Sequence, residues 1–259
     1  MRPAGSQPLE GLRVLVTGAS SGLGGLTSLM LAFAGCRVVG TGRSFARAPA
    51  RLVLEAAIEL DLLERAAPAE VVGTAATTLG GLDVVISNAG AGWAGPYESM
   101  SEADLDEQLA LNLRAPMQVA RTAAPYLRES HGQLVLVSSI AGVVGVAGEV
   151  AYSSAKGGVA RLADGLREEW YPDVVVSLVA PAAIDTPFFA RRNRPYTRTW
   201  PHPIPTQKAA AAVVRAVERR PAEVYVPYWV ALVPRLRGAL PGTYRHLARL
   251  FRDTGGAGR

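Results

Sequence analysis

Short, uninterrupted apolar runs alternate with longer stretches of helical period along most of this chain. The runs are rich in valine, leucine and isoleucine and lack the polar alternation of a strand with one wet face. They therefore predict strands that are buried on both sides. The predicted strands cover residues 13–17, 37–41, 57–60, 82–87, 133–139, 174–180 and 224–226.

The stretches between these strands carry apolar residues at helical spacing. They predict helices over residues 22–35, 63–79, 101–130, 151–170 and 206–219, with a break near 114–116 in the third. Strands that alternate with helices form right-handed βαβ units, which build a parallel sheet covered on both faces. We expect an α/β fold of the doubly wound, Rossmann-like kind. The 259 residues suit a single domain over 1–227, followed by a C-terminal helical extension over 228–259.

Residues 186–205 fit neither the strand period nor the helix period. The segment is rich in proline and arginine, and connections of this length without regular structure are often functional lids. Its arginines either meet an anionic group of a ligand or form an ordinary solvated basic loop. They are Arg191, Arg192, Arg194 and Arg198.

Charge, hydropathy and cysteine content narrow the class of protein. The net charge of +5 is spread along the chain without a nucleic-acid-binding motif, so we expect no nucleic-acid partner. No run of 18 apolar residues occurs, and residues 1–8 lack the apolar core of a secretory signal. The single cysteine, Cys36, has no partner for an internal disulfide. These features predict a cytoplasmic protein.

A glycine-rich turn follows the first predicted strand and opens the first predicted helix. It reads Thr17-Gly18-Ala19-Ser20-Ser21-Gly22-Leu23-Gly24. Glycines at such a turn let the backbone approach a pyrophosphate, which free amide groups and the positive end of the helix then hold. The alternative is a tight turn that needs glycine only for its backbone angles. The position between a buried strand and a helix favours a dinucleotide site.

The end of the second predicted strand indicates which dinucleotide is bound. In an NAD(H) site a carboxylate is expected there, accepting from the ribose 2′-hydroxyl. This chain has Gly42 and Arg43 instead, and a guanidinium binds a 2′-phosphate. We expect NADP(H), with NAD(H) as the alternative if Arg43 is merely solvated. Asp61 and Leu62 are expected beside the adenine, unless Asp61 is an ordinary strand-end residue.

One pair of residues carries candidate chemistry. Tyr152 and Lys156 are four residues apart on a predicted helix, and so lie on the same face. The chain has 27 lysine and arginine residues, of which only Lys156 and Lys208 are lysines. A neighbouring cation lowers the pKa of a tyrosine, which makes the phenol a proton donor and acceptor near neutral pH. On its own, the pair also fits an ordinary surface helix.

Together these motifs resemble the short-chain dehydrogenase/reductase family, in its single-domain branch, over residues 12–226. The family's T-G-x-x-x-G-x-G loop is matched at 17–24, and its N-A-G segment is matched by Asn88, Ala89 and Gly90. Its serine lies thirteen residues before the tyrosine of the Y-x-x-x-K motif. That spacing selects Ser139, and only one of Ser138 and Ser139 can serve because successive strand side chains point to opposite faces. The resemblance therefore implies four catalytic residues: Asn112, Ser139, Tyr152 and Lys156.

Two departures from the family pattern affect the cofactor site. The family's Pro-Gly after the sixth strand reads Pro181-Ala182 here, so the alanine must adopt a conformation that a side chain tolerates. Members that prefer NADP often carry a basic residue where this chain has Ser21, which leaves Arg43 as the main support for NADP(H). Ile184 and Thr186 are expected to contact the cofactor. The resemblance implies that Thr186 bonds the nicotinamide carboxamide.

The resemblance implies hydride transfer between a nicotinamide and the carbonyl or secondary alcohol carbon of a small molecule. Tyr152 would exchange a proton with the substrate oxygen, and Ser139 would hydrogen-bond that oxygen. Lys156 would bind the ribose and lower the pKa of Tyr152, while Asn112 would hold a water for a proton relay. A homodimer or homotetramer is also implied. An epimerase or dehydratase would need a larger substrate domain, and a mere sensor of NADP(H) would have damaged catalytic positions.

Apolar side chains near these motifs predict an apolar ketone or alcohol as substrate, although each one alone also fits core packing. They are Trp93, Val143, Val144, Phe188, Phe189, Tyr196 and Trp200. The residues after Pro227 combine apolar side chains with spaced arginines. This C-terminal extension covers the substrate cleft, packs on a partner subunit or makes peripheral contact with an anionic membrane.

Overall fold

The computed structural model describes residues 6–194, 196 and 202–246. Its strands are β1 Arg13–Thr17, β2 Arg37–Gly42, β3 Ala56–Glu59, β4 Val84–Ser87, β5 Gln133–Val137, β6 Val175–Pro181, β7 Ile184–Asp185, β8 Ile204–Pro205 and β9 Glu223–Val226. Seven of them form one parallel sheet in the order β3-β2-β1-β4-β5-β6-β9, and β7 pairs with β8. The strand order reverses between β1 and β4. A parallel sheet opens a crevice at such a point, beyond the carboxyl ends of its strands.

Helices cover both faces of this sheet. They are α1 Gly22–Phe33, α2 Ala67–Leu79, α3 Glu102–Leu109, α4 Ala115–Glu129, α5 Ile140–Val144, α6 Val150–Trp170, α7 Phe188–Arg191, α8 Thr206–Arg219 and α9 Leu232–Ala239. Short 3-10 segments occupy Pro49–Leu52, Tyr97–Ser99 and Tyr228–Ala231. The inward residues of α2, α4 and α6 pack on one face of the sheet, and those of α1 and α8 pack on the other. This is the doubly wound α/β arrangement that the apolar pattern predicts.

Successive side chains of the central strands alternate between two hydrophobic cores. In β1, Leu15 belongs to the core under α2, α4 and α6, while Val14 and Val16 belong to the core under α1 and α8. All three are fully buried. Val85 and Ile86 of β4 divide between the two cores in the same way. The prediction of strands buried on both sides is confirmed, because each face of the sheet is covered by helices.

The predicted break near 114–116 is wrong. A π-helical turn over Ala110–Arg114 joins α3 to α4 without interruption. Pro116 lies in the first turn of α4. The wider π turn accommodates this proline, whose missing N–H would otherwise interrupt the regular ladder of helical hydrogen bonds. The predicted helix over 63–79 begins only at Ala67, with Pro68 in its first turn.

The predicted strand over 133–139 ends at Val137 because Ser139 begins a helix. The Ser139 hydroxyl accepts a hydrogen bond from the amide of Ala141 at 3.2 Å and so caps α5. Residues 186–205, expected to lack regular structure, include α7 and end on β8. Both corrections matter for the site, since α5 and α7 border it.

The chain after β9 forms the 3-10 segment Tyr228–Ala231, then α9, and residues 241–246 are helical. Residues 247–259 of the predicted extension lie outside the described part of the chain. None of the described helices is long and apolar enough to cross a membrane.

Candidate active site

A cavity of about 550 Å³ opens at the carboxyl ends of the strands, where the strand order reverses. Its walls come from the residues that follow β1 to β6, from α7 and from the segment after β9. Asn112 is the one predicted site residue that does not line it. The others all do: Gly18, Ser20, Ser21, Gly22, Leu23, Gly24, Arg43, Asp61, Leu62, Asn88, Ala89, Gly90, Ser139, Tyr152, Lys156, Pro181, Ile184 and Thr186.

The glycine-rich turn forms a cradle that side chains would fill. A Cβ atom on Gly24 would lie 2.3 Å from the carbonyl oxygen of Gly18, although the backbone of Gly24 does not have a positive φ. A Cβ atom on Gly42, at the end of β2, would lie 2.6 Å from the hydroxyl of Ser20. These glycines are therefore required for close approach and not only for backbone angles. The first-turn amides of α1 have no acceptor within their own helix. The cradle and these amides fit the phosphates of a dinucleotide.

Thr17 joins this turn to the segment after β4. Its hydroxyl accepts hydrogen bonds from the amides of Asn88 at 2.9 Å and Ala89 at 3.0 Å. The Asn88 side-chain amide donates to the Thr17 carbonyl at 2.9 Å. Because all three bonds link neighbouring strand ends, the glycine turn and the N-A-G segment are held as one rigid wall of the cavity.

Ser139, Tyr152 and Lys156 meet across two helices. Tyr152 and Lys156 lie on α6, and Ser139, at the start of α5, lies close enough to the Tyr152 phenol to lower its pKa. The Lys156 ammonium lies 5.9 Å from the centre of the Tyr152 ring and donates to the Val137 carbonyl at 3.0 Å. The Ser138 hydroxyl instead donates to the backbone carbonyl of Lys156 at 2.8 Å. The structure therefore brings Ser139, and not Ser138, to the tyrosine.

Burial changes the proton affinity of both members of the pair. It raises the pKa of Tyr152 well above its ordinary value, and the nearby Glu149 carboxylate raises it further. The nearby Ser139 hydroxyl and the Arg192 charge lower the Tyr152 pKa, but burial outweighs them. Burial lowers the pKa of Lys156 to about 8. We expected Lys156 to lower the tyrosine pKa, and the protein groups give the opposite net direction because removing a phenolate from water costs more.

An aromatic wall stands beside Tyr152. The ring centres of Tyr152 and Phe188 are 5.6 Å apart, those of Phe188 and Phe189 are 5.4 Å apart, and those of Phe189 and Tyr196 are 4.7 Å apart. Val144 of α5 completes the group of predicted apolar residues that line the cavity. Trp93 and Val143 were expected to line it and do not. Trp93 packs on Gly95 instead, and Trp200 lies outside the described residues.

Three further contacts fasten the segment after α7. Arg192 donates to the Glu149 carboxylate at 2.8 Å, and the two side chains are only 5% and 14% exposed. The Asn193 side chain bonds the backbone of Ala94 in both directions, at 2.8 and 2.7 Å. The Arg192 guanidinium also lies 4.8 Å from the centre of the Phe189 ring. The aromatic wall is therefore held in place by an ion pair and by backbone hydrogen bonds.

Comparison with known proteins decides the family. The sequence pattern of the short chain dehydrogenase family matches residues 13–197. The chain belongs to the short-chain dehydrogenase/reductase family. A 3-ketodihydrosphingosine reductase from Bacteroides thetaiotaomicron is 31% identical, over 70% of this chain and 66% of that protein. A 1-deoxy-11-beta-hydroxypentalenate dehydrogenase from Streptomyces avermitilis is 33% identical, over 93% of each chain.

A solved structure agrees with this assignment. It is a short chain dehydrogenase from Burkholderia cenocepacia in complex with NADP, and it is 27% identical to this chain. The two folds superpose with a TM-score of 0.75, over 85% of this chain and 97% of that chain. This short-chain dehydrogenase/reductase is therefore an NAD(P)-dependent oxidoreductase.

Asn112 of this dehydrogenase is fully buried in the π-helical turn. Its side-chain amide donates to the Ala91 carbonyl at 2.9 Å and to the Gln108 carbonyl at 3.0 Å, and its oxygen accepts from the Ala91 amide at 3.2 Å. These bonds fix the backbone that follows Gly90. A Cβ atom on Gly90 would lie 2.7 Å from the Asn112 oxygen and 3.5 Å from the Lys156 ammonium. The oxygen and the ammonium thus converge on one point, although the relay itself stays a prediction.

The departure at Pro181-Ala182 has a structural explanation. Ala182 is buried, and its amide donates to the Val226 carbonyl of β9 at 2.8 Å. It is not among the residues with a positive φ. The alanine therefore extends the pairing of β6 with β9 instead of making a turn that requires glycine.

Sequence reasoning missed Glu149 and Asn193 as site residues, and it assigned Arg192 to a ligand anion or to solvent instead of to a carboxylate of the protein. Asn193 carried a signal, because it is one of only three asparagines in the chain and the other two were assigned to the site. Nothing in the sequence pairs Glu149 with Arg192, since the chain has 22 acidic and 27 basic residues. Only the folded structure shows which two of them form a nearly buried pair beside Tyr152.

Proposed function

We propose that this enzyme transfers hydride between NADP(H) and the ketone or secondary alcohol carbon of an apolar substrate. One observation carries the proposal: Tyr152 lies beside Ser139 and packs against the aromatic wall, in the same cavity as the glycine cradle. A substrate oxygen that reaches Tyr152 would have its apolar body against Phe188 and Phe189. Assays of NADPH oxidation against a series of ketones test this function.

Different residues of the chain transfer the proton and stabilise the charge that develops in the reaction. When bound, the nicotinamide supplies or accepts the hydride. Tyr152 donates its proton to the carbonyl oxygen in reduction, and its raised pKa keeps the phenol in that protonated form at neutral pH. Ser139 stabilises the negative charge that develops on the same oxygen. Lys156 binds the cofactor ribose and offers its positive charge to the phenolate that remains.

The preference for NADP(H) rests on Arg43, which lines the cavity. It directly follows Gly42, whose backbone lies against Ser20 of the cradle. Asp61 also lines the cavity, and its carboxylate accepts a hydrogen bond from the amide of Leu63 at 3.0 Å. This carboxylate therefore caps its own turn. We infer that the guanidinium meets the 2′-phosphate that distinguishes the two cofactors.

Replacement of Arg43 by alanine is expected to weaken NADPH binding by about ten- to a hundredfold, the effect of losing a charge-assisted hydrogen bond. NADH binding should change by less than about twofold, because NADH lacks the 2′-phosphate. Isothermal titration of both cofactors measures the change. Arg47→Ala, an exposed arginine outside the cavity, is the matched control. Equal losses for both cofactors would contradict the proposed preference.

The apolar substrate is supported by the aromatic wall and by two relatives, a 3-ketodihydrosphingosine reductase and a 1-deoxy-11-beta-hydroxypentalenate dehydrogenase. Phe188→Ala is expected to raise the KM for an apolar ketone by about tenfold, since burial of a phenyl group against a ligand is lost. The KM for a short aliphatic ketone should change much less. Steady-state assays compare the two, with the exposed Phe33→Ala as control. Turnover confined to charged ketones would refute an apolar substrate.

Besides the small-molecule substrate, the proposed contacts are those of the C-terminal region with the cleft, a membrane or a partner subunit. Trp229, Val230 and Val233 line the cavity, which supports a C-terminal region that covers the substrate cleft. Tyr228, Leu232 and Leu240 are 86%, 64% and 54% exposed, and they are among the described side chains of this region that a membrane or a partner subunit would contact. A homodimer or homotetramer, and a cytoplasmic location, stay predictions.

A further inference from the structure

Arg191 reaches from α7 to the glycine-rich turn, 170 residues earlier in the chain. Its guanidinium donates to the Ser21 hydroxyl at 2.9 Å. Both residues line the cavity. Thr186, two residues before α7, also contacts the turn, since a Cβ atom on Gly22 would lie 3.4 Å from the Cβ of Thr186. Residues 186–191, called the lid segment here, are therefore in contact with the glycine turn at one end of the cavity.

The position of Arg191 is electrostatically unusual. Ser21 is the N-cap of α1, but its side chain does not cap the helix. The N-terminal end of a helix carries partial positive charge, so a cation placed there is repelled. Within the described part of the chain, Arg191 forms no ion pair with a carboxylate, whereas the adjacent Arg192 pairs with Glu149. A guanidinium and a helix N-terminus that face the same space are both stabilised when an anion lies between them.

We propose that Arg191 binds a phosphate of the cofactor from the lid side of the cavity. The inference rests on the proposed function, and it assigns to the lid the cation that the glycine turn lacks at Ser21. The shared chemistry is a phosphate oxyanion, which belongs either to the pyrophosphate or to the 2′-phosphate. The planar guanidinium suits both, because it donates two parallel hydrogen bonds.

This assignment links cofactor binding to the substrate pocket. Arg191 lies on the same single-turn helix as Phe188 and Phe189, whose rings form the wall beside Tyr152. A phosphate that draws Arg191 inward also holds these rings over the cavity. The cofactor then strengthens the binding of an apolar substrate to the wall. The substrate strengthens cofactor binding by the same factor, because coupling between two binding sites is reciprocal.

The test is equilibrium binding of NADPH and NADH to the full chain, measured by isothermal titration at several salt concentrations. Arg191→Ala is expected to raise the dissociation constant of at least one cofactor by about three- to tenfold, less than a fully buried contact because Arg191 is exposed. The dependence of binding on salt should also weaken, because one cation no longer faces the phosphates. Arg194→Ala is the matched control, since this exposed neighbour does not line the cavity.

The outcomes separate the two phosphates. Equal weakening of NADPH and NADH assigns Arg191 to the pyrophosphate, and weakening of NADPH alone assigns it to the 2′-phosphate. Binding unchanged in Arg191→Ala, or lowered equally in Arg194→Ala, overturns the inference while leaving the proposed function intact. If the unaltered protein binds neither cofactor, the proposed function and the inference both fail. Thermal melts of each variant confirm that the fold is retained.

Discussion

Tyr152→Phe is expected to lower kcat by about 10²- to 10⁴-fold, the contribution of a positioned general acid or base. The substitution removes only the hydroxyl that lies beside Ser139, and the ring keeps its packing against Phe188. Cofactor affinity should therefore change by less than about threefold, because the lost group is the proton donor and not the main cofactor contact. Steady-state kinetics with NADPH and an apolar ketone, together with isothermal titration of NADPH, measure both quantities.

The control for this prediction is Tyr97→Phe. Tyr97 is 52% exposed and does not line the cavity, so its hydroxyl has no part in the proposed reaction. If Tyr152→Phe retains more than about a tenth of the activity, the tyrosine is not the proton donor. If NADPH binding collapses together with turnover, the variant reports a damaged site instead of a missing proton.

Lys156→Met is expected to produce a protein that is inactive and yet more stable. Lys156 is 3% exposed, and burial lowers its pKa to about 8, so the folded state pays a penalty for holding the charged form. Removing the charge should raise the free energy of unfolding by about 1–2 kcal/mol at pH 7, after the lost bond to Val137 is allowed for. Without the ammonium, NADPH binding should weaken by about ten- to a hundredfold. Titration calorimetry and denaturant unfolding give the two values.

The dependence of this stability difference on pH follows from the two protonation states. Below pH 8 the lysine is protonated in both the folded and the unfolded chain, so the whole penalty is present. Between about 8 and the ordinary lysine value of 10.5, the unfolded chain binds more protons, and the stability of the unaltered protein rises with pH. The advantage of Lys156→Met should therefore shrink over this interval.

Thermal unfolding of the cofactor-free proteins between pH 7 and 10.5 tests the expected shrinkage. Tyr152 is present in both proteins, so its own titration cancels from the difference to the extent that the pair is independent. Lys208→Met is the control, because Lys208 is the other lysine and is exposed on α8. A stability difference that does not vary with pH would show that Lys156 is not a depressed, buried cation.

Some of the fold followed from local pattern. Val14, Leu15 and Val16 had to be buried on both sides, and only a sheet covered by helices on both faces provides that. The glycine turn, the N-A-G segment and the Y-x-x-x-K spacing all lie within short stretches, so their residues were found directly. One error occurred where a single residue serves two elements. Ser139 ends a strand and caps a helix, and a strand pattern alone cannot show the second role.

The neighbours of Tyr152 were beyond sequence reasoning. Trp93 was expected in the cavity because it follows the N-A-G segment, but proximity along the chain does not fix the direction of a side chain in a loop. Glu149 and Arg192 are 43 residues apart, and the energy that pairs them exists only after the fold has removed both from water.

The sequence by itself determined the strand and helix order, the cofactor turn and the Tyr152–Lys156 pair, because each depends on spacings of a few residues, while Asn112 and Ser139 came from the family resemblance. Tertiary structure alone decided the contact of Arg191 with Ser21, the ion pair beside Tyr152 and the direction in which the Tyr152 pKa is shifted. These three properties depend on burial and on distances between segments far apart in the chain. The pKa of a buried group, unlike the period of a helix, is set by everything that packs around it.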